Sequence, residues 1–75
     1  MSAMTIQLKT IRDVQNFVRI INDFRYEADI TAGRYVVDAK SIMGILCLDL
    51  NQPLLLDIHA GECTDLTEKL RPFAV

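Results

Sequence analysis

Only one histidine and two cysteines occur among the 75 residues, and no catalytic constellation can be assembled from their order. Cys47 and Cys63 are too few and too far apart for a disulfide framework or a metal knuckle, and they read as buried thiols of a reducing compartment. His59 has Asp57 two residues away and otherwise only the distant Cys63, too sparse a donor set for a metal. Concentrated positive charge is also missing. Eight Lys and Arg residues are scattered against ten Asp and Glu, for a net charge of −2, which disfavours a nucleic-acid surface. Apolar residues form no block long enough to span a membrane. The opening Met1-Ser2-Ala3-Met4 lacks the basic start and apolar core of a signal peptide. The composition therefore points to a cytoplasmic, non-enzymatic chain with no metal or cofactor and neither nucleic acid nor membrane as a partner.

What is present is globular. Hydrophobic residues make up 51% and charged ones 24%, enough to close a core but dispersed along the chain. A chain this short buries only roughly 60% of its unfolded surface. One domain over 1–75 is expected, with no room for a large internal active site.

The apolar spacing gives the order of elements. Met4, Ile6 and Leu8 alternate with Thr5, Gln7 and Lys9, the period of a strand with one buried face. From Thr10 onward Ile11, Val14, Phe17, Val18, Ile21 and Phe24 recur every three or four residues, predicting the longest helix over 10–24. Thr10 and Asp13 have the spacing of a capping box, with Asp as a short partner. Residues 28–31 and 34–38 predict a hairpin turning at Ala32-Gly33. Leu54, Leu56 and Ile58 alternate with Leu55, Asp57 and His59 in a fourth strand, which puts His59 on the outer face of a sheet. Leu66, Leu70 and Phe73 mark a last helix that starts at Cys63 or Thr64 and ends near Pro72.

The resulting β-α-β-β-α-β-α order fits an α+β open-faced sandwich, a four-stranded, mostly antiparallel sheet with three helices on one face. The expected core is Ile6, Leu8, Val14, Phe17, Val18, Ile21, Val36, Leu54, Leu56, Ile58, Leu66 and Leu70, with either Val36 or Val37 facing inward.

Lys40-Ser41-Ile42-Met43-Gly44 is the most informative stretch. Ser41 follows the β-rich Tyr35-Val36-Val37 and precedes Ile42, Ile45 and Leu46, whose spacing marks one face of a short helix. Its hydroxyl is then an N-cap beside the N–H groups of Met43 and Gly44. That reading is compatible with a plain cap and with a phosphate acceptor next to Lys40. A helix this short cannot turn all of Ile42, Met43, Ile45, Leu46, Cys47 and Leu48 inward.

With that order and the run Lys40-Ser41-Ile42-Met43-Gly44-Ile45-Leu46-Cys47-Leu48, the chain resembles the histidine-containing phosphocarrier proteins (HPr) of the bacterial sugar phosphotransferase system. Glu27-Ala28-Asp29-Ile30 and Ala60-Gly61-Glu62 support the likeness. The resemblance implies a regulatory phosphorylation site at Ser41, read by a serine kinase, with Lys40, Ile42, Met43, Leu46 and Leu48 at partner-docking positions. It also places the family's phosphate-accepting histidine, which takes phosphate from Enzyme I charged by phosphoenolpyruvate, on Arg12. The supporting arginine and proline fall on Val14 and Gln15. A guanidinium stays protonated and offers no lone pair to phosphorus. The expected function is that of a non-catalytic regulatory or adaptor protein with a protein partner, either a serine kinase or another phosphotransferase-system component. The alternatives are a working phosphocarrier and a small-molecule or peptide-binding domain on the same fold.

Overall fold

The computed structural model describes residues 2–75. Its elements are β1 (Ser2–Ile6), α1 (Ile11–Asn22), β2 (Ala28–Ala32), β3 (Tyr35–Asp38), α2 (Ile42–Leu46), β4 (Leu54–Ile58) and α3 (Thr64–Lys69), followed by a 3-10 turn over Arg71–Phe73. The strands form one sheet in the order β1-β4-β2-β3, and every neighbouring pair is antiparallel. Three helices cover one face. The other face is open, and the expected open-faced α+β sandwich is what the chain adopts.

Register fixes which side chains meet. Ile6 lies opposite Leu54 and Ile30 opposite Leu56, and the inward residues of these strands pack under Val14, Phe17, Val18 and Ile21 of α1. Leu66 and Leu70 close the core from α3 and its end. Every expected core residue is buried except Val36. That valine pairs with Thr31 on the open face and is 63% exposed, whereas Val37 pairs with the buried Ile30 and packs against the core. Ala28, Ile30, Ala39, Ile45, Leu48 and Cys63 join the core as well. Cys47 does not, so the expectation of two buried thiols holds for Cys63 alone.

Strand β1 stops earlier than the alternation through Leu8 suggests. Its ladder with β4 ends at the Ile6–Leu54 pair, so residues beyond Ile6 have no strand partner there. The C-terminal segment takes over that edge: Gln7 N–H donates to the Phe73 carbonyl (2.9 Å) and Val75 N–H to the Thr5 carbonyl (3.1 Å). An otherwise bare sheet edge is thereby covered. Phe73 sets its ring edge-on to Phe17, with centroids 5.9 Å apart.

Local chemistry accounts for the element ends. Thr10 caps α1 by accepting from the Asp13 N–H (3.0 Å), and the short Asp13 carboxylate reaches back to the Lys9 N–H (2.9 Å) in place of the cap residue's own. The hairpin turns at Gly33-Arg34, one residue later than expected. Gly33 has φ +60°, and no other residue type in the described chain has a positive φ, which suits a two-residue turn with glycine at its first position. The Tyr26 hydroxyl donates to Asp65 (2.9 Å), tying the loop before β2 to α3. That hydrogen bond to a carboxylate, assisted by desolvation and nearby negative charge, raises the phenol above its ordinary value of 10.0.

On the open face Asp57, Asp29 and Asp38 stand opposite one another across β4, β2 and β3. The His59 Nε2 lies 3.0 Å from the Asp29 carboxylate, and the Asp38 carboxylate accepts the Lys40 N–H (2.9 Å). Like charges directly opposite on a sheet destabilise it, by the same order as favourable cross-strand pairs stabilise it. Asp57→Thr is therefore expected to raise unfolding stability by about 0.2 to 1 kcal/mol. A urea midpoint that fails to rise would show that the row carries no net repulsion.

Candidate docking site

Short-range hydrogen bonds place Ser41. After β3 the buried Ala39 donates to the Ala28 carbonyl (3.0 Å), and the chain then turns through Asp38, whose carboxylate accepts the Lys40 N–H and whose carbonyl accepts the Ser41 N–H (3.0 Å). Ser41 is extended (φ −101°, ψ 106°) and caps α2, its Oγ accepting from the Gly44 N–H at 3.0 Å. The Met43 N–H does not reach it. A five-residue helix sums few peptide dipoles, so the hydrogen bond rather than a macrodipole holds the cap. Gly44 lets this turn lie close against β3: a Cβ there would stand 3.1 Å from the Val37 Cβ and 3.2 Å from the Ser41 Oγ.

The helix divides its apolar side chains between two surfaces. Ile45 is wholly buried, and Leu48, just beyond the helix, is 9% exposed. Ile42 and Leu46 are about two-fifths exposed at 40% and 39%, and Met43 is 77% exposed. Leu48 was expected at the docking surface, but it belongs to the core, because the chain curls inward after α2 and the Leu48 N–H bonds to the Ile45 carbonyl (3.0 Å). Lys40 is half-buried at one end of the patch, beside the equally half-buried Ser41.

A groove of about 420 Å³ opens at the other end of α2. One wall is the hairpin tip, Ala32 to Tyr35; the opposite wall includes Cys47, Leu48, Asp49 and Pro53. Sequence reasoning missed this feature. The stretch 49–53 shows only turn-forming residues, and it meets the hairpin tip through the β2–β4 register, which sets Thr31 opposite Leu55.

The junction between β1 and α1 holds no comparable cluster. Arg12 is exposed in the first turn of α1, Gln15 is exposed, and Val14 is wholly buried. His59 is at the other end of the sheet: it follows Ile58, which pairs with Ser2, whereas the junction follows Ile6, which pairs with Leu54. It lies on the outer face, as its alternation indicates, paired with Asp29. Among the described residues no three His, Cys, Asp or Glu side chains converge to hold a metal, and no helix is long and apolar enough to cross a membrane.

The architecture is an HPr-like fold, and solved structures similar to it carry that name. A crystal structure of HPr-C-His from Thermoanaerobacter tengcongensis superposes with a TM-score of 0.78 at 26% identity, covering 93% of this chain and 86% of that one. The phosphocarrier protein HPr from Bacillus anthracis str. Ames gives a TM-score of 0.74 at 21% identity over 99% of this chain and 96% of that one. No family model and no curated protein matches the sequence. The chain thus has an HPr-like fold, at a sequence distance where the fold is shared and individual site residues are not carried across.

Proposed function

We propose that this chain is a non-catalytic regulatory or adaptor protein related to the phosphotransferase system, which binds a protein partner through α2 and is switched by phosphorylation of Ser41. The observation that carries the reading is the exposed Ile42, Met43 and Leu46 patch beside the capping hydroxyl of Ser41. A domain of this size has little apolar surface to leave uncovered, and an exposed cluster rimmed by polar groups marks an interaction surface. Lys40 flanks it, and a phosphate on Ser41 would add roughly 1.5 to 2 negative charges at its edge. Docking would change more than folding, because the core beneath rests on Ile45 and Leu48.

Incubation with ATP and an HPr-type serine kinase, followed by mass spectrometry, tests the switch. One phosphate is expected, lost in Ser41→Ala. Phosphate persisting on that variant, or none on the wild-type chain beside a labelled control HPr, would reject the assignment.

A further inference from the structure

Strand order leaves one edge of the sheet bare. The C-terminal segment covers β1, whose Thr5 carbonyl accepts the Val75 N–H, but β3 has β2 on one side and, among the described residues, no strand on the other. Antiparallel pairing decides which backbone groups that edge offers. The two-residue turn makes Ala32 and Tyr35 a hydrogen-bonded pair, and the alternation continues through Ile30 and Val37 to Ala39, whose N–H donates to the Ala28 carbonyl (3.0 Å). Val36 and Asp38 therefore turn their N–H and C=O groups away from β2. The Asp38 carbonyl takes the Ser41 N–H (3.0 Å), while both backbone groups of Val36 face outward. The side chain of Val36 is 63% exposed and that of Tyr35 69%. Within β3 there is no proline, no lysine and no bulge, the devices that blunt an edge.

We propose that this edge pairs with the same edge of a second copy, β3 antiparallel to β3, joining two four-stranded sheets into one two-fold dimer. In an antiparallel pair, residues with outward backbone groups meet residues of the same kind, so a symmetric pairing centres on Tyr35, Val36 or Val37. Centred on Tyr35 it sets Arg34 against Val36, and centred on Val37 it sets Asp38 against Val36. Centred on Val36 it uses the whole strand. The two Val36 residues then exchange N–H···O=C bonds, Tyr35 meets Val37, and Arg34 at the end of the turn meets Asp38, twice over by symmetry. The sum of the charges does not select this partner: Asp38 keeps its charge while accepting the Lys40 N–H, and Asp49 keeps its own beside Arg34 in the groove wall. Their order does, because a cation before Val36 and an anion after it make the strand complementary to its own reverse. Within one copy Asp38 stands opposite Asp29, and neither Asp38 nor Arg34 is among the ion pairs of the described residues, which are His59–Asp29 and Arg71–Glu68. Arg34 of the second copy gives the row of Asp57, Asp29 and Asp38 a cation at its open end. The inference is independent of the reading of α2 as a docking helix.

A strand this short buries less than a standard interface, so the dimer should be weak and concentration-dependent. Sedimentation equilibrium of the full chain, with its thiols reduced and at concentrations up to about millimolar, should show monomer passing to dimer, and amide exchange at Val36 should slow over the same range. Val36→Pro removes an N–H that faces away from β2 and should abolish the dimer, with circular dichroism checking that the fold is kept. The charge pair tests the register even where that variant does not fold. Arg34→Glu should weaken the dimer tenfold or more. Asp38→Asn keeps an acceptor for the Lys40 N–H, and in that background Arg34→Glu should cost far less, because the charge it opposes is gone. A dimer with this coupling and a protected Val36 amide supports the proposal. Equal cost of Arg34→Glu in both backgrounds, a dimer that survives Val36→Pro, assembly beyond the dimer, or monomer at every concentration overturns it.

Discussion

Phe17→Ala should lower the melting midpoint by on the order of 20 °C. Phe17 lies on the buried face of α1 with no exposed surface, and it is the largest of the fully buried side chains. Truncating a buried phenylalanine to alanine costs about 3 to 5 kcal/mol, because transfer energy is lost and the surroundings only partly fill the cavity. A chain of this length has roughly 4 to 11 kcal/mol in total at the usual stability per residue. The loss therefore removes about a quarter or more of the stability, enough for that fall in the melting midpoint. Phe73 loses its edge-to-face partner in the same step, and the Gln7 N–H bond to the Phe73 carbonyl depends on that segment staying in place. Fraying of the C-terminal segment, followed by amide exchange at Gln7 and Val75, should accompany the loss. Val36→Thr, on the open face, is the contrast and should stay within about 0.5 kcal/mol of the wild type. Equal melting curves for the two variants would show that the core is not centred on α1.

Most of this core could be read from the order of residues, because the periodicities of 3.6 and 2 hold in α1 and β4, although Ile11 at the start of α1 is 62% exposed and Phe24 lies beyond its end. Val14, Phe17, Val18 and Ile21 are buried as their spacing requires, and so are Leu54, Leu56 and Ile58. Periodicity fails where a segment is too short to carry one. Tyr35-Val36-Val37 could face either way until pairing of Val37 with Ile30 settled it. The role of Leu48 was set by two backbone bonds that turn the chain after α2, from the Cys47 N–H to the Gly44 carbonyl and from the Leu48 N–H to the Ile45 carbonyl, and helical spacing does not encode them. Cys47 came out exposed for the same reason, lying on the outside of that curl. At the candidate site the Ser41 cap was legible, since a serine at the start of an apolar helical spacing has few other uses. The groove was not, because its two walls are joined only by strand register.

Incubated with phosphoenolpyruvate and Enzyme I, the chain is expected to gain no acid-labile phosphate under conditions that label a phosphocarrier HPr completely. Phosphoryl transfer to a carrier needs a nucleophile with a free lone pair, held in line with the donor, and misplacement by even an ångström can cost a hundredfold. At the β1–α1 junction the side chains available are those of Thr10, Arg12 and Asp13. The Thr10 hydroxyl accepts from the Asp13 N–H and the Asp13 carboxylate from the Lys9 N–H, and the guanidinium of Arg12 has no lone pair to give. The single imidazole, that of His59, is at the far end of the sheet and bonded to Asp29, so a donor docked at the junction does not reach it. Arg12→His should restore little. Its supporting arginine would have to come from position 14, and Val14 is wholly buried, so Val14→Arg would place a charge in the core instead of beside the phosphate. Acid-labile phosphate on the wild-type chain would overturn this expectation, and its loss in His59→Ala would identify the acceptor as the open-face histidine.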